Sequence, residues 1–219
     1  MGIIERKRRD RQNRIKEIID SAKDIFITKG FNNSTMNDIA NMSDLSRRTL
    51  YLYFHNKEEI LLTIAVNTLE KLVTEIDEDN RPEFTGLEQL LLIANKYRQL
   101  FLTDAGSFQF VPNFTSCVYS LGIENEIVKK CTHIVQEISS LVCEKLEIGM
   151  KDGSIRPLEN VKKTATFIIS IIHSCIQTIE SDNGLLKIAL KIEPSDFLDE
   201  AIEVIVNYLT KGLKPATEI

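Results

Sequence analysis

The feature that most restricts this chain is a pair of helix starts, Thr35 and Ser46, with a tight turn between the segments they open. Thr35 and Asp38 have the spacing of a capping box, with Asp where Glu is usual. The short helix they open runs through Ile39, Ala40 and Met42 and breaks at Ser43-Asp44-Leu45-Ser46. Ser46 is placed to cap a second short helix, Arg47 to Phe54. Upstream, Ile15, Ile18, Ile19, Ala22 and Phe26 recur at i, i+3, i+4, i+7 and i+11, one face of a longer helix closed by Lys29-Gly30. Two short helices joined by a turn and stacked on a longer one make a helix-turn-helix. Ile39, Ala40, Leu45, Leu50 and Phe54 form its small core, and a long helix opens at Lys57 with Asn56 placed to cap it.

Charge is unevenly placed. Residues 1–16 hold seven bases, Arg6 to Lys16, against Glu5 and Asp10, a net of +5 in a chain whose total is −5. Residues 1–60 hold twelve bases and nine acids, so the remainder carries −8. A positive end on an acidic protein fits nucleic-acid contact at that end, and fits a solvated tail equally well on charge alone.

Composition excludes several classes. A chain of 219 residues, 43% hydrophobic and 27% charged, buries a sizeable core and is not disordered. Nine glycines, five prolines and no tryptophan favour long helices over a turn-rich β fold. The apolar run at Phe167–Ile172 falls short of the ~20 residues a membrane span needs, and no apolar segment of a secretory signal follows the basic start. Cys117, Cys131, Cys143 and Cys175 lie at no metal or redox spacing, which points to a reduced, cytoplasmic compartment. His55 sits in the helix-turn-helix connection; His133 and His173 sit inside amphipathic helices without paired carboxylates. Cys131, His133 and Cys143 match no common metal pattern, and buried thiols with a core histidine are the simpler reading. There is no phosphate-cradling glycine loop and no nucleophile elbow. The expectation is a non-enzyme without metal or cofactor.

Beyond residue 57 the pattern is helical throughout. The expected helices are Lys57 to Ile76, Leu87–Thr103, Gln109–Leu121, Glu124–Met150, Glu159–Glu180 and Asp196–Leu213, with a short one at Leu185–Ile192. Breakers stand between them at Asp104 to Gly106, Gly122, Lys151 to Pro157, Asp182 to Gly184 and Glu193-Pro194. The fold class is all-α: residues 1–56 as a helix-turn-helix domain with a basic arm, residues 57–219 as a second helical domain.

The run Ile18 to Ala22, Phe26, Lys29-Gly30-Phe31, Ser34-Thr35, Asp38-Ile39-Ala40, Leu45-Ser46, Thr49-Leu50-Tyr51, Tyr53-Phe54 and Lys57-Glu58 resembles the DNA-binding domain of the TetR/AcrR transcriptional regulators. The resemblance covers about fifty residues, across cores, turns and caps together. It implies that the second short helix lies in the major groove of double-stranded DNA. Arg47 and Arg48 occupy its first turn, where a planar guanidinium can donate twice to guanine O6 and N7, and Thr49 suits a thymine methyl or a phosphate. Positions matching Thr35, Ser46, Tyr51, Tyr53 and Lys57 hold the DNA backbone in the family; Tyr51 also lies within reach of the base-reading set. The arm over residues 6–14 either reaches the adjacent minor groove or adds phosphate attraction. Two departures stand out. The turn carries Ser43-Asp44-Leu45 where small residues, Gly and Val, are usual, and Arg48 stands where a small residue is common.

The resemblance further implies a homodimer on a near-palindromic operator and a small-molecule effector held among the middle helices. Tyr97, Phe101, Phe108, Phe110, Phe114 and Tyr119 crowd one stretch and suit an apolar or aromatic ligand, with plain helix packing as the alternative for each ring. Phe167, Ile168, Ile171 and Ile172 with Ile202, Ile205 and Leu209 make two helices apolar on more than one side, as a four-helix dimer interface requires. The function expected is a repressor released by its effector. The alternative is a regulator or sensor of the same fold that answers to a protein partner or to no ligand.

Overall fold

The computed structural model describes residues 2–79, 81–108, 110–181 and 186–212. The described residues are helical and contain no strand: α1 (Ile3–Lys29), α2 (Met36–Met42), α3 (Arg47–Leu50), α4 (Lys57–Glu78), α5 (Gly86–Thr103), α6 (Phe114–Leu121), α7 (Glu126–Asp152), α8 (Val161–Ser181) and α9 (Pro194–Lys211). A 3-10 turn, Ala105–Phe108, precedes α6, and a single π turn, Leu186–Leu190, precedes α9.

Most helix bounds fall within two residues of the pattern, and the exceptions have local causes. The helix expected from Gln109 starts only at Phe114, after a run of turns that includes Val111 N–H to Phe108 O and Asn113 N–H to Phe110 O; Gln109 itself lies outside the described residues. The break expected at Glu193-Pro194 is a helix start, because proline lacks the N–H that a first turn leaves unpaired anyway. The short helix expected at Leu185–Ile192 is the π turn, closed by Ile192 N–H to Leu186 O at 3.0 Å; Leu185, the breaker 182–184 and Leu213 lie outside the described residues. The largest difference is at the start: the basic segment is no loose arm but the first turns of α1, a helix of 27 residues.

The chain packs as two compact units, and they do not follow a linear division at residue 56. The first comprises residues up to Thr68 together with Asp104–Cys131; the second comprises Leu69–Thr103 and Thr132 onward. In the first, Ile18, Ala22, Phe26, Ile39, Leu50 and Ile60 are fully buried, each of the five larger side chains contributing on the order of 1.5–3 kcal/mol. Phe26 meets Phe31 edge-on at 5.3 Å, and Lys23 pairs with Asp104 at 3.2 Å.

In the second unit Leu90, Val142, Leu146, Ile155, Ala165, Ile168, Ile205 and Leu209 form one cluster. Here α5 starts against the end of α7. Gly86 N–H donates to Asp152 Oδ2 at 2.7 Å and Leu87 N–H to Ser154 Oγ at 3.2 Å, while Thr85 and Glu88 close a capping box. Arg156 stacks over Tyr208 at 4.7 Å and donates its Nε–H to the Tyr208 carbonyl at 2.9 Å, placing a cation on the last carbonyls of α9.

Candidate nucleic-acid interface

Each part of the helix-turn-helix is fixed by a short-range bond. Thr35 Oγ1 accepts the Asp38 N–H at 3.2 Å, and Asp38 Oδ2 accepts the Thr35 N–H at 2.9 Å and its hydroxyl at 2.7 Å. Lys29, ending α1, donates to the other Asp38 oxygen at 2.6 Å. The Lys29 ammonium and the Thr35 donors together hold the Asp38 carboxyl down at about 2. A depressed carboxylate stabilises the fold above its unfolded value of ~3.9 and loses that contribution as pH falls through its folded value. Stability should therefore drop between about pH 4 and pH 2. Asp38→Asn should flatten that stretch of a melting-temperature curve taken against pH, and an unchanged curve would show that the box contributes nothing. Both Thr35 donors are engaged within the box, so a phosphate contact from this residue would have to open it.

The turn forms as expected. Leu45 N–H reaches Ala40 O at 2.8 Å, and Asp44 takes a φ of 51°, the left-handed region that Asp tolerates better than most side chains. Ser46 Oγ accepts the Thr49 N–H at 3.0 Å and shares a hydrogen with the Thr49 hydroxyl at 2.7 Å. One hydroxyl hydrogen of this pair remains for an outside acceptor. The α-helical part of α3 covers only Arg47–Leu50; the bonds Leu52 N–H to Thr49 O and Tyr53 N–H to Leu50 O tighten residues 51–53 into a turn.

Leu50 is fully buried and sets which way α3 faces. Arg47 lies on its own neighbour, with Nη2 3.5 Å from the Tyr51 hydroxyl and its guanidinium 5.6 Å from that ring centroid. Arg48 is exposed and has no hydrogen bond or ion pair among the described residues. Four residues on, Leu52 is 70% exposed. At i and i+4 these two share the side of the helix that points away from Leu50. Leu52 is an exposed apolar side chain on this face, as its spacing from the buried Leu50 allows. Tyr51 is exposed and Tyr53 half-buried.

Lys57 takes a different place from the one the resemblance implies. Its ammonium donates to the carbonyls of Phe31 at 2.8 Å, Asn32 at 3.2 Å and Ser34 at 2.9 Å, and lies 4.6 Å from the Phe31 ring centroid. An ammonium has three hydrogens, and all are used inside the protein. Lys57 therefore ties the loop after α1 to the start of α4. Lys57→Met should cost about 2 kcal/mol of stability and leave the salt dependence of DNA binding unchanged; a slope reduced by about 0.9 per protomer would restore the phosphate role. Asn56 caps α4, its Oδ1 accepting the Glu59 N–H at 2.8 Å, and the exposed His55 donates its N–H to Glu59 Oε2 at 2.7 Å.

The six aromatics of the middle stretch do not gather in one unit. Tyr97 and Phe101 belong to the second; Phe108, Phe110, Phe114 and Tyr119 belong to the first. Phe108 and Phe110 are buried and stacked at 6.1 Å, Phe101 is buried, and Phe114 is half-buried. Burial pushes the Tyr97 hydroxyl above its ordinary range. Tyr119 is 92% exposed, so its ring faces solvent and walls no enclosed space with the others. Of the residues assigned to a dimer face, Ile168, Ile205 and Leu209 are already covered within the protomer by Leu90, Val142 and Leu146. Ile171, Ile172 and Ile202 are half-buried, and Phe167 remains exposed, meeting Tyr208 edge-on at 6.0 Å. Val204, on α9, is also exposed. The thiols of Cys117 and Cys131 are pushed up to about 12 and about 11 by burial. Among the described residues no group of three His, Cys, Asp or Glu could hold a metal ion, and no helix is long and apolar enough to cross a membrane.

Residues 18–64, from the buried face of α1 into α4, match the family model of bacterial regulatory proteins, tetR family. The chain is 26% identical over 165 residues to the fatty acid metabolism regulator protein of Bacillus subtilis (strain 168), a match covering 74% of this chain and 81% of that protein. It is 25% identical over 132 residues to the biofilm operon icaADBC HTH-type negative transcriptional regulator IcaR of Staphylococcus epidermidis, covering 59% and 65% respectively. Its fold is that of the crystal structure of the transcriptional regulator FadR from Bacillus subtilis in complex with stearoyl-CoA, with a TM-score of 0.65, 21% identity, and coverage of 91% of this chain and 99% of that one. A doubly capped helix-turn-helix, matched by the family model and continued by the same all-helical architecture, makes residues 18–64 similar to the DNA-binding domain of the tetR-family regulatory proteins.

Proposed function

We propose that the protein represses transcription by binding a near-palindromic duplex operator as a homodimer, and that an effector with a long apolar chain releases it. The observation that carries the DNA reading is the outward face of α3, where Arg48 and Leu52 stand side by side with no partner for the arginine among the described residues. A free guanidinium can donate twice to guanine O6 and N7, and an exposed leucine suits the thymine methyl on a neighbouring pair. Arg47 and Tyr51 flank this pair as one stacked unit, and the spare hydroxyl hydrogen of Ser46 and Thr49 serves a phosphate. A two-fold dimer sets two such helices one turn of DNA apart, ~34–36 Å, which makes the operator nearly symmetric. Phe167 and Val204, exposed on α8 and α9, are side chains available to a partner protomer.

Repression and an acyl-chain effector follow the relatives: one is named a negative regulator, one a fatty acid metabolism regulator, and one neighbour holds stearoyl-CoA. Release is a shift between two populations of the dimer that differ in how their α3 helices are spaced, since a ligand moves an equilibrium only by its difference in affinity. Such a regulator works in the cytoplasm and performs no catalysis. The test is selection of bound sequences from a random duplex pool at two salt concentrations, then titration of the bound operator with acyl-CoA of increasing chain length. A near-palindromic site with steep salt dependence is expected, weakened roughly 5- to 150-fold by the effector. An unsymmetric, weakly enriched pool would remove the DNA reading; intact binding at all chain lengths would remove the effector.

A further inference from the structure

The basic start of the chain is helical, and this decides between the two roles left open for it. Residues 4–13 are exposed, yet they continue α1 without a break. A helix is ~10–12 Å across with its side chains, and the minor groove is ~6 Å wide, so this rod does not enter it. Phosphates along a groove edge are what remain within its chemistry.

The rod is not equivalent all round. Ile4, Lys7, Arg8 and Arg11 fall at i, i+3, i+4 and i+7, and they continue the stripe of Ile15, Ile18 and Ala22. Ile18 and Ala22 are fully buried, so this stripe faces the side on which the helix-turn-helix packs. Arg11 marks the register directly: its guanidinium lies 5.1 Å from the ring centroid of Tyr53, next in sequence to the exposed Leu52. Arg6 and Arg9 lie on the opposite side.

We propose that the face of α1 bearing Lys7, Arg8 and Arg11 is a second DNA-binding surface, which lies along the phosphates flanking the base pairs read by α3 and carries no sequence information. The proposal rests on the reading that α3 enters the major groove. Charge complementarity names the occupant: residues 1–16 carry +5 in a chain of net −5. A partly acidic rod would serve a protein partner, whereas on this face the side chains beyond the buried core are Ile4 and bases only.

Two double variants separate this from general attraction. K7Q/R8Q and R6Q/R9Q remove the same charge from neighbouring positions, and Gln keeps the helix because its propensity is close to that of Lys and Arg. Affinity for the selected operator is measured from about 50 to 300 mM salt for both and for the wild type. K7Q/R8Q should reduce the slope of log affinity against log salt by roughly 3 to 4, at about 0.9 per phosphate over two protomers. R6Q/R9Q should change it by less than about 1. Equal changes in the two variants, or no change in either, would overturn the proposal. Failure of the wild type to select any symmetric site would instead overturn the reading of α3, and it would be visible without either variant.

Discussion

Gly86→Ala is expected to lower the thermal midpoint by roughly 10 °C, or to prevent folding, although it adds one methyl group. A Cβ at this position would collide with Gly149 N and stand 2.5 Å from both Gly149 Cα and the Lys145 carbonyl. All three are backbone atoms of α7, so no side chain can swing aside and the two helices must part. Overpacking of a core costs about 1–3 kcal/mol even where side chains can yield. At about 3 kcal/mol, and 2–4 °C per kcal/mol for a protein of this size, the shift is on the order of 10 °C. Separation would also pull Gly86 N–H from Asp152 and Leu87 N–H from Ser154. Gly149→Ala should cost less, because its Cβ meets the Ile155 side chain, with the terminal Cδ1 at 2.5 Å. Gly122→Ala meets nothing within 4 Å and bears only the strain of a φ of +78° with a ψ of 153°, a conformation nearly confined to glycine, at about 1–3 kcal/mol. Melts of the three variants should place Gly86→Ala lowest, and a Gly122 variant less stable than the Gly86 one would contradict the close approach of α5 and α7.

Arg48→Ala should leave stability nearly unchanged and relax discrimination at one base pair of each half-site by about 10- to 100-fold. The side chain is exposed and has no partner among the described residues, so its removal breaks nothing there. A bidentate pair with guanine contributes about 1–3 kcal/mol of discrimination. Competition between the selected operator and its single-base variants reads this directly. Leu52→Ala should relax the adjacent position by a smaller factor. Arg47→Ala differs in kind: it also frees Tyr51 from the contact at 5.6 Å, so a loss spread over several positions is expected. If Arg48→Ala weakens all sequences equally, the residue holds a phosphate and the base reading belongs elsewhere on α3.

What was legible in the sequence was what local bonds decide. Thr35 with Asp38, Ser46 with Thr49 and Asn56 with Glu59 are partners three residues apart, so spacing and residue type suffice. The strain at Asp44 was foreseeable for the same reason. Lys57 was not, because its acceptors lie 23 to 26 residues away and depend on how α1 and α4 meet. Gly86 and Gly149 stand farther apart still, and nothing in either neighbourhood announces the other. The basic segment misled for a different reason. It carries almost no apolar stripe, so periodicity is silent there, yet Arg, Lys, Gln and Glu are good helix formers and extending an existing helix avoids the cost of nucleation. The aromatics divide between two packing units because the chain passes from one unit to the other at Asp104, which nothing in their spacing announces.

Because α1 is one unbroken rod, its exposed bases and its buried isoleucines are two ends of a lever. From Ile18 to Ile4 the rod is about 21 Å long at 1.5 Å per residue. A tilt of about 5° in the packed half would swing the tip by roughly 2 Å, enough to take an ammonium or guanidinium out of hydrogen-bonding range of an oxygen. A flexible tail would absorb such a tilt and keep its grip. A rigid one makes a small repacking of the core break several ionic links to the phosphates at once, and so sharpens the step between bound and released DNA.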